Sequence, residues 1–199
     1  VCLPKPLLRI AKTQRMQLPT STDCAALYAQ YHTPTHIQAH MRAVAAVTQQ
    51  LAQAHQVVGN SVDADVVYWA ALLHDLVRIP EQWQYLPATI STPQAHAEIN
   101  YLVLRDRWPE IAQMIREHSL MGILQPQPFF SFAAKLLYYA DKRVNNDQLV
   151  SLSDRLDLGQ ARWHVAPDQN RALELLTHLQ ALEAELFSGL QLTPHDLYV

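Results

Sequence analysis

The apolar run Trp69-Ala70-Ala71-Leu72-Leu73 ends in His74-Asp75. A stretch of this kind has to be buried, and it carries a histidine and a carboxylate inward with it. An ionised carboxylate is very costly to bury unless it is paired. Any fold this chain adopts must therefore bring a partner to Asp75. A divalent cation is the natural one, because an adjacent imidazole nitrogen and carboxylate oxygen form half of a mixed nitrogen/oxygen metal site. The other half has to come from elsewhere in the chain.

The rest of the sequence reads as all-α. Only 4 glycines occur in 199 residues, apolar positions recur at helical spacing, and strand-like alternation with turn pairs is scarce. Ser21-Thr22-Asp23 can cap a first helix over about 23–31. Pro34 starts a second over 35–57, whose stripe of Ile37, His40, Val44, Val47 and Leu51 follows the i, i+3, i+4, i+7 rule. Gly59-Asn60 stops it. A third helix, capped by Asp63 or Ser61, runs through His74. A fourth, about 93–106, carries His96. Pro109 opens a fifth, about 109–118, that ends at His118. A sixth, about 130–145, carries Asp141, and helices over 147–157 and 168–188 close the chain. Leu173, Leu176, Leu179, Leu182 and Leu186 form a stripe on the last of these, which completes the core or makes a homodimer face.

Composition excludes several classes. Hydrophobic residues at 49% and charged residues at 17% describe a globular chain rather than a disordered one. A formal net charge of −3 gives no electrostatic case for nucleic-acid binding. Cys2 and Cys24 match no disulfide framework and no zinc spacing, which fits a reducing, cytoplasmic setting. No apolar run approaches the roughly 18 residues of a membrane span. Residues 1–20 hold Lys5, Arg9, Lys12 and Arg15 and read as a basic arm or a cloning remnant. Residues 21–199 are expected to form one domain.

His40, His74, Asp75 and Asp141 stand out together, each within apolar neighbours on an expected helix. Two imidazoles and two carboxylates at helix–helix interfaces suit Mn²⁺, Fe²⁺, Co²⁺, Ni²⁺ or Mg²⁺ better than structural zinc, which favours sulfur. Taken singly, each has a plainer reading: His40 as a satisfied core or surface histidine, Asp141 as a partner of Lys142 or Arg143.

The ordered pattern resembles a known family. His40…His74-Asp75…Asp141, in the contexts Ile37-Gln38-Ala39-His40-Met41-Arg42, Ala70-Ala71-Leu72-Leu73-His74-Asp75 and Leu137-Tyr138-Tyr139-Ala140-Asp141-Lys142, is similar to the signatures of the HD-domain superfamily of metal-dependent phosphohydrolases. The resemblance covers about residues 30–160. It implies an all-α, HD-domain-like helical bundle that binds one or two divalent metal ions. It also implies hydrolysis of a phosphomonoester or phosphodiester, with a nucleotide as the expected small phosphorylated substrate. The alternative is a regulatory or ligand-sensing HD domain without turnover.

Members with a binuclear centre carry extra histidines between the doublet and the last aspartate. By that resemblance His96 and His118 would bind a second metal, with Asp75 as a candidate bridge; read singly, His118 is a histidine favoured at a helix C-terminus and His96 a surface residue. Asp75 or a histidine is the expected catalytic, water-orienting group. Arg78, one turn beyond His74, is a candidate phosphate ligand, and Lys142 a weaker one. The acid that nucleotidase-like members carry after the doublet is absent, as is the Gly-Tyr-Pro signature of the cyclic-dinucleotide phosphodiesterases. Trp83 and Tyr85, in the irregular stretch 80–92, either cover a ring of the substrate or simply pack that loop. His36 reads as a surface residue. His32, His55, His164, His178 and His195 have no signature around them.

Overall fold

A computed structural model describes residues 17–163 and 169–199. The basic arm therefore lies outside the described residues up to position 16. The helices are α1 (Ser21–Gln30), α2 (Thr35–Val57), α3 (Ala64–Leu73), α4 (His96–Leu104), α5 (Pro109–Arg116), α6 (Phe132–Arg143), α7 (Leu152–Trp163) and α8 (Gln169–Phe187). Short 3-10 turns lie at Pro80–Tyr85 and Leu120–Leu124. The all-α expectation holds, with one small addition: β1 (Val144–Asn145) and β2 (Gln148–Leu149) form an antiparallel hairpin that pairs Val144 with Leu149.

Helix α2 is the axis of the fold. It packs most extensively on α3 and next on α6, while α5 covers α3 and α4 and α8 lies against α6 and α7. Met41, Val44, Val47 and Leu51 of α2 are fully buried, as are Leu73 and Leu76 around the doublet and Leu136 and Leu137 of α6. Each such side chain contributes about 1.5–3 kcal/mol of burial. The histidine and aspartate positions ride on this packing.

Local chemistry explains most helix ends. Thr20, not Ser21 or Asp23, caps α1: its hydroxyl accepts from the Asp23 amide at 3.1 Å while Asp23 Oδ2 accepts from the Thr20 amide at 2.9 Å. This reciprocal capping box moves the start two residues earlier than expected. Asp63 caps α3 by accepting from the amides of Asp65 and Val66. Gly59, at φ +87°, supplies the left-handed turn after α2 that a side chain would strain.

Three boundaries differ in ways that matter. Helix α3 ends at Leu73, so His74 is its C-cap and Asp75 lies in the following turn. Helix α5 ends at Arg116, leaving His118 just beyond it. The segment 147–157 does not begin as a helix: Asn146 sits at φ 56°, a conformation asparagine tolerates, and closes the hairpin before α7 starts at Leu152. On α8 the buried stripe is Leu175, Leu179, Leu182 and Leu186, whereas Leu173 is 65% exposed. The face turned to α6 is thus core. Among the described residues, no helix is long and apolar enough to cross a membrane.

Candidate metal centre

The turn after α3 is held by side chains distant in sequence. A helix C-terminus leaves carbonyls without intrahelical partners, and here Tyr28, Thr33, Gln82 and Asn100 supply them. The Tyr28 hydroxyl donates to Leu72 O at 2.6 Å and the Thr33 hydroxyl to Leu76 O at 2.8 Å. Asn100 Nδ2 donates to His74 O (3.0 Å) and Val77 O (3.2 Å), while its Oδ1 accepts from the Val77 amide (2.8 Å). Gln82 Oε1 accepts from the Arg78 and Ile79 amides, and its Nε2 donates to Tyr31 O and Leu76 O. The doublet is therefore locked in place by a buried amide on either side.

Three histidine rings are oriented by backbone carbonyls. His74 Nδ1 donates to Ala71 O at 2.7 Å, His40 Nδ1 to Asn146 O at 2.8 Å and His118 Nδ1 to Ile115 O at 2.5 Å. With the proton on Nδ1, each Nε2 presents a lone pair inward. Outer-shell hydrogen bonds of this kind fix the tautomer of metal-ligating histidines. The hairpin thus has a purpose: its left-handed turn delivers the Asn146 carbonyl to His40.

What these lone pairs face is negative. His40 Nε2 is 3.1 Å from Asp141 Oδ1 and 3.9 Å from Asp75 Oδ2. His74 Nε2 is 3.6 Å from both of those oxygens and, fully buried, has no hydrogen-bond partner. On the other side, Asp75 Oδ1 is 3.4 Å from His96 Nε2 and 3.5 Å from His118 Nε2, and the two ring nitrogens are 3.0 Å apart. Asp75 divides its two oxygens between the two groups. The sets His40–His74–Asp75, His74–His118–Asp141 and Asp75–His96–His118 each bring three ligand atoms within 4.8 Å of one another. Converging acceptors without a shared proton are the pattern a divalent cation satisfies, and the nitrogen/oxygen donor set suits a transition metal or Mg²⁺. The donors present fit such an ion.

The carboxylates favour positive charge where His74 meets them, either a proton on its Nε2 or a cation in that proton's place. Burial would push the carboxyls of Asp75 and Asp141 up, yet the surrounding cations hold both well below the usual range: His74 and Arg78 for Asp75, Lys142 for Asp141. Burial opposes charging of His74, but Asp75 and Asp141 raise it above its ordinary value. Burial and the neighbouring His118 push His96 down to about 3, so its Nε2 stays a lone pair.

Two cations sit within the cluster. Arg78 Nη1 donates to His96 Nε2 at 2.5 Å and to Asp75 Oδ1 at 3.3 Å. Lys142 is buried, donating to Asp141 Oδ2 and, at 2.8 Å, to His118 O. A cleft of about 180 Å³ opens over the cluster, lined by His36, Ile37, His40, Asp75, Arg78, Ile79, Asn145, Asn146 and Arg155.

All six expected ligand positions, from five regions of the chain, meet here. Lys142 does not line the cleft; it is turned inward onto Asp141, a departure from its expected place at a phosphate. His36 is exposed, as anticipated, yet lines the cleft mouth. Trp83 packs partly buried against the core and Tyr85 stacks on His32, with ring centroids 4.1 Å apart. Neither lines the cleft, which favours the packing reading of that loop. Arg155 was not anticipated, because it lies in the register of an ordinary solvated helix face. Asn100 and Gln82 were missed as well; Asn100 carried one signal, a polar amide among apolar helix neighbours, and Gln82, beside Glu81 and Gln84, carried none.

No curated protein and no solved structure matches the chain. The family model described as HD domain matches residues 37–159. That span is more than half of the chain and contains His40, His74, Asp75, His96, His118 and Asp141. The chain belongs to the HD domain family.

Proposed function

We propose that this protein is a metal-dependent phosphohydrolase acting on a phosphomonoester or phosphodiester, with a nucleotide as the expected substrate. The observation that carries the reading is Asp75, whose two oxygens face separate groups of histidine lone pairs at the floor of a cleft walled by arginine. His40, His74, Asp75 and Asp141 would hold one divalent cation, and His96, His118 and Asp75 a second. A cation bound there acidifies water and polarises the phosphoryl oxygen on which charge develops.

The chain's own residues do the rest. In hydrolysis the bond from phosphorus to the leaving oxygen breaks, a bond to the water oxygen forms, and the proton that the water gives up ends on the leaving oxygen, by way of solvent. Asp75 is held well below the usual carboxylate range. It is therefore a weak base, which orients the attacking water by accepting a hydrogen bond rather than its proton. Lys142 keeps Asp141 ionised. Asn100 and Gln82 keep the doublet in register.

The test is turnover of an aryl phosphate, a bis-aryl phosphate and a nucleotide panel with Mn²⁺, Co²⁺, Ni²⁺ and Mg²⁺ added in turn. Turnover that requires metal and disappears in His74→Ala is expected. A metal-loaded protein that hydrolyses none of these would leave a ligand-sensing HD domain as the reading.

A further inference from the structure

The arginines that line the cleft differ in what they touch. Arg78 is committed to Asp75 and His96. Arg155, from the first turns of α7, makes no side-chain hydrogen bond and no ion pair among the described residues, and its Nε is buried without a partner. A buried N–H left unsatisfied costs more than an ordinary hydrogen bond contributes, and more still on a charged group. A guanidinium in that position lacks an anion. Among the described residues no carboxylate pairs with it: Asp75, the carboxylate of the cleft lining, is engaged by Arg78 and the histidines, and Asn145 and Asn146 are neutral.

The shape of the cleft narrows the choice of anion. Pockets that enclose a drug-sized ligand span ~300–1,000 Å³, whereas this one is about 180 Å³. It accommodates a phosphate with its immediate neighbours and leaves the bulk of an organic substituent outside. A guanidinium presents a planar fork that engages two oxygens of one phosphate at once. A phosphomonoester has three terminal oxygens. If one faces the metal cluster, two remain for the fork. An internal diester has two, so only one remains.

We propose that Arg155 is the anion anchor of this cleft and selects a phosphate with three terminal oxygens, a monoester or the end of a phosphate chain, over an internal diester. The inference rests on the phosphohydrolase reading of the same site and settles a choice that reading leaves open. It also moves the principal phosphate contact from Arg78, which holds Asp75, to Arg155, which has no side-chain partner among the described residues.

The test is binding, so that turnover plays no part in it. Inorganic phosphate and dimethyl phosphate are titrated calorimetrically into the Mn²⁺-loaded protein, with metal content measured in parallel. The unaltered protein is expected to prefer inorganic phosphate. Arg155→Gln should weaken phosphate binding roughly tenfold to a hundredfold, the loss of one charged hydrogen-bonding pair. Dimethyl phosphate binding should change little and metal content not at all. Arg155→Lys, which keeps the charge without the fork, should retain affinity for both anions but lose the preference; it decides the matter if Arg155→Gln does not fold. The proposal is overturned if Arg155→Gln binds phosphate as the unaltered protein does, if it loses both anions equally, or if the unaltered protein binds neither. A protein that binds phosphate through Arg155 and hydrolyses nothing would remove the proposed activity and leave this inference standing.

Discussion

The two halves of the metal centre use the same ligand types and are closed differently. In the half formed by His40, His74 and Asp141, the rings of His40 and His74 are oriented by carbonyls of Asn146 and Ala71, and their lone pairs meet carboxylate oxygens. In the half formed by His96 and His118 around Asp75 Oδ1, only His118 is oriented by a carbonyl, and Arg78 reaches in to hydrogen-bond both His96 and Asp75. The first half is locked by the core of the fold. The second shares its acceptors with a side chain that is one-third exposed (35%) and able to leave. From this difference follows an expected order of affinity: under the proposed reading the His40 half should hold an ion more tightly, and the His96 half should bind a second one only in competition with Arg78.

The largest expected effect comes from breaking the tighter half. His74→Ala should lower metal-dependent turnover by about a thousandfold, since an ion of this kind supplies several kcal/mol of transition-state stabilisation, and should lower metal content by plasma mass spectrometry. His96→Ala, in the looser half, should retain the first ion. Equal metal loss in both variants would mean that the halves are not distinct.

Next in size is the support beneath both halves. Asn100→Ala removes three hydrogen bonds to the His74–Val77 turn and leaves buried carbonyls and an amide unpaired, at a cost of about 1–3 kcal/mol for an orphaned group. A lowered denaturation midpoint with unchanged slope is expected. A variant as stable as the parent would show that the turn does not depend on the clamp.

Arg78→Met should act in the opposite direction on the looser half. Freeing Asp75 Oδ1 and His96 should tighten binding of a second ion on the order of tenfold, the size typical of outer-shell changes, read as metal content after dialysis. If the unaltered protein already retains two ions per chain, Arg78 does not compete. The smallest effect is expected at Asn146. His40 uses its backbone carbonyl, and glycine adopts φ 56° readily. Asn146→Gly should therefore change stability by less than about 1 kcal/mol and leave metal content unaltered.

Much of this site was legible before any coordinates. The helical period placed α2 at its observed limits because Pro34 and Gly59 mark both ends by their own backbone restrictions. His40, His74, Asp75 and Asp141 stood out because histidine and aspartate are conspicuous at the edges of apolar runs. Other features were not legible. The sequence reads as one helix ending near 145 and another beginning near 147, and only the packing of Val144–Asn145 beside α2 shows a hairpin there. Arg155 looks like any exposed helical arginine until the cleft is seen beside it. Lys142 was expected to face substrate, yet it faces Asp141, because the last turn of α6 is buried on all sides.

By itself the sequence determined the local matters: an all-α chain, the ends of its longest helix, and four side chains with cation-binding chemistry, His40, His74, Asp75 and Asp141, whereas His96 and His118 were implied only by the family resemblance. These follow from periodicity, backbone restriction and donor chemistry, which act over a few residues. Tertiary structure alone decided which oxygen of Asp75 faces which histidines, which of the two arginines is free, and which lysine is spent. Those depend on ångström-scale approach between α2, α3, α6 and α7. Hydrogen-bond and ion-pair partners change over such distances, while sequence spacing does not record them.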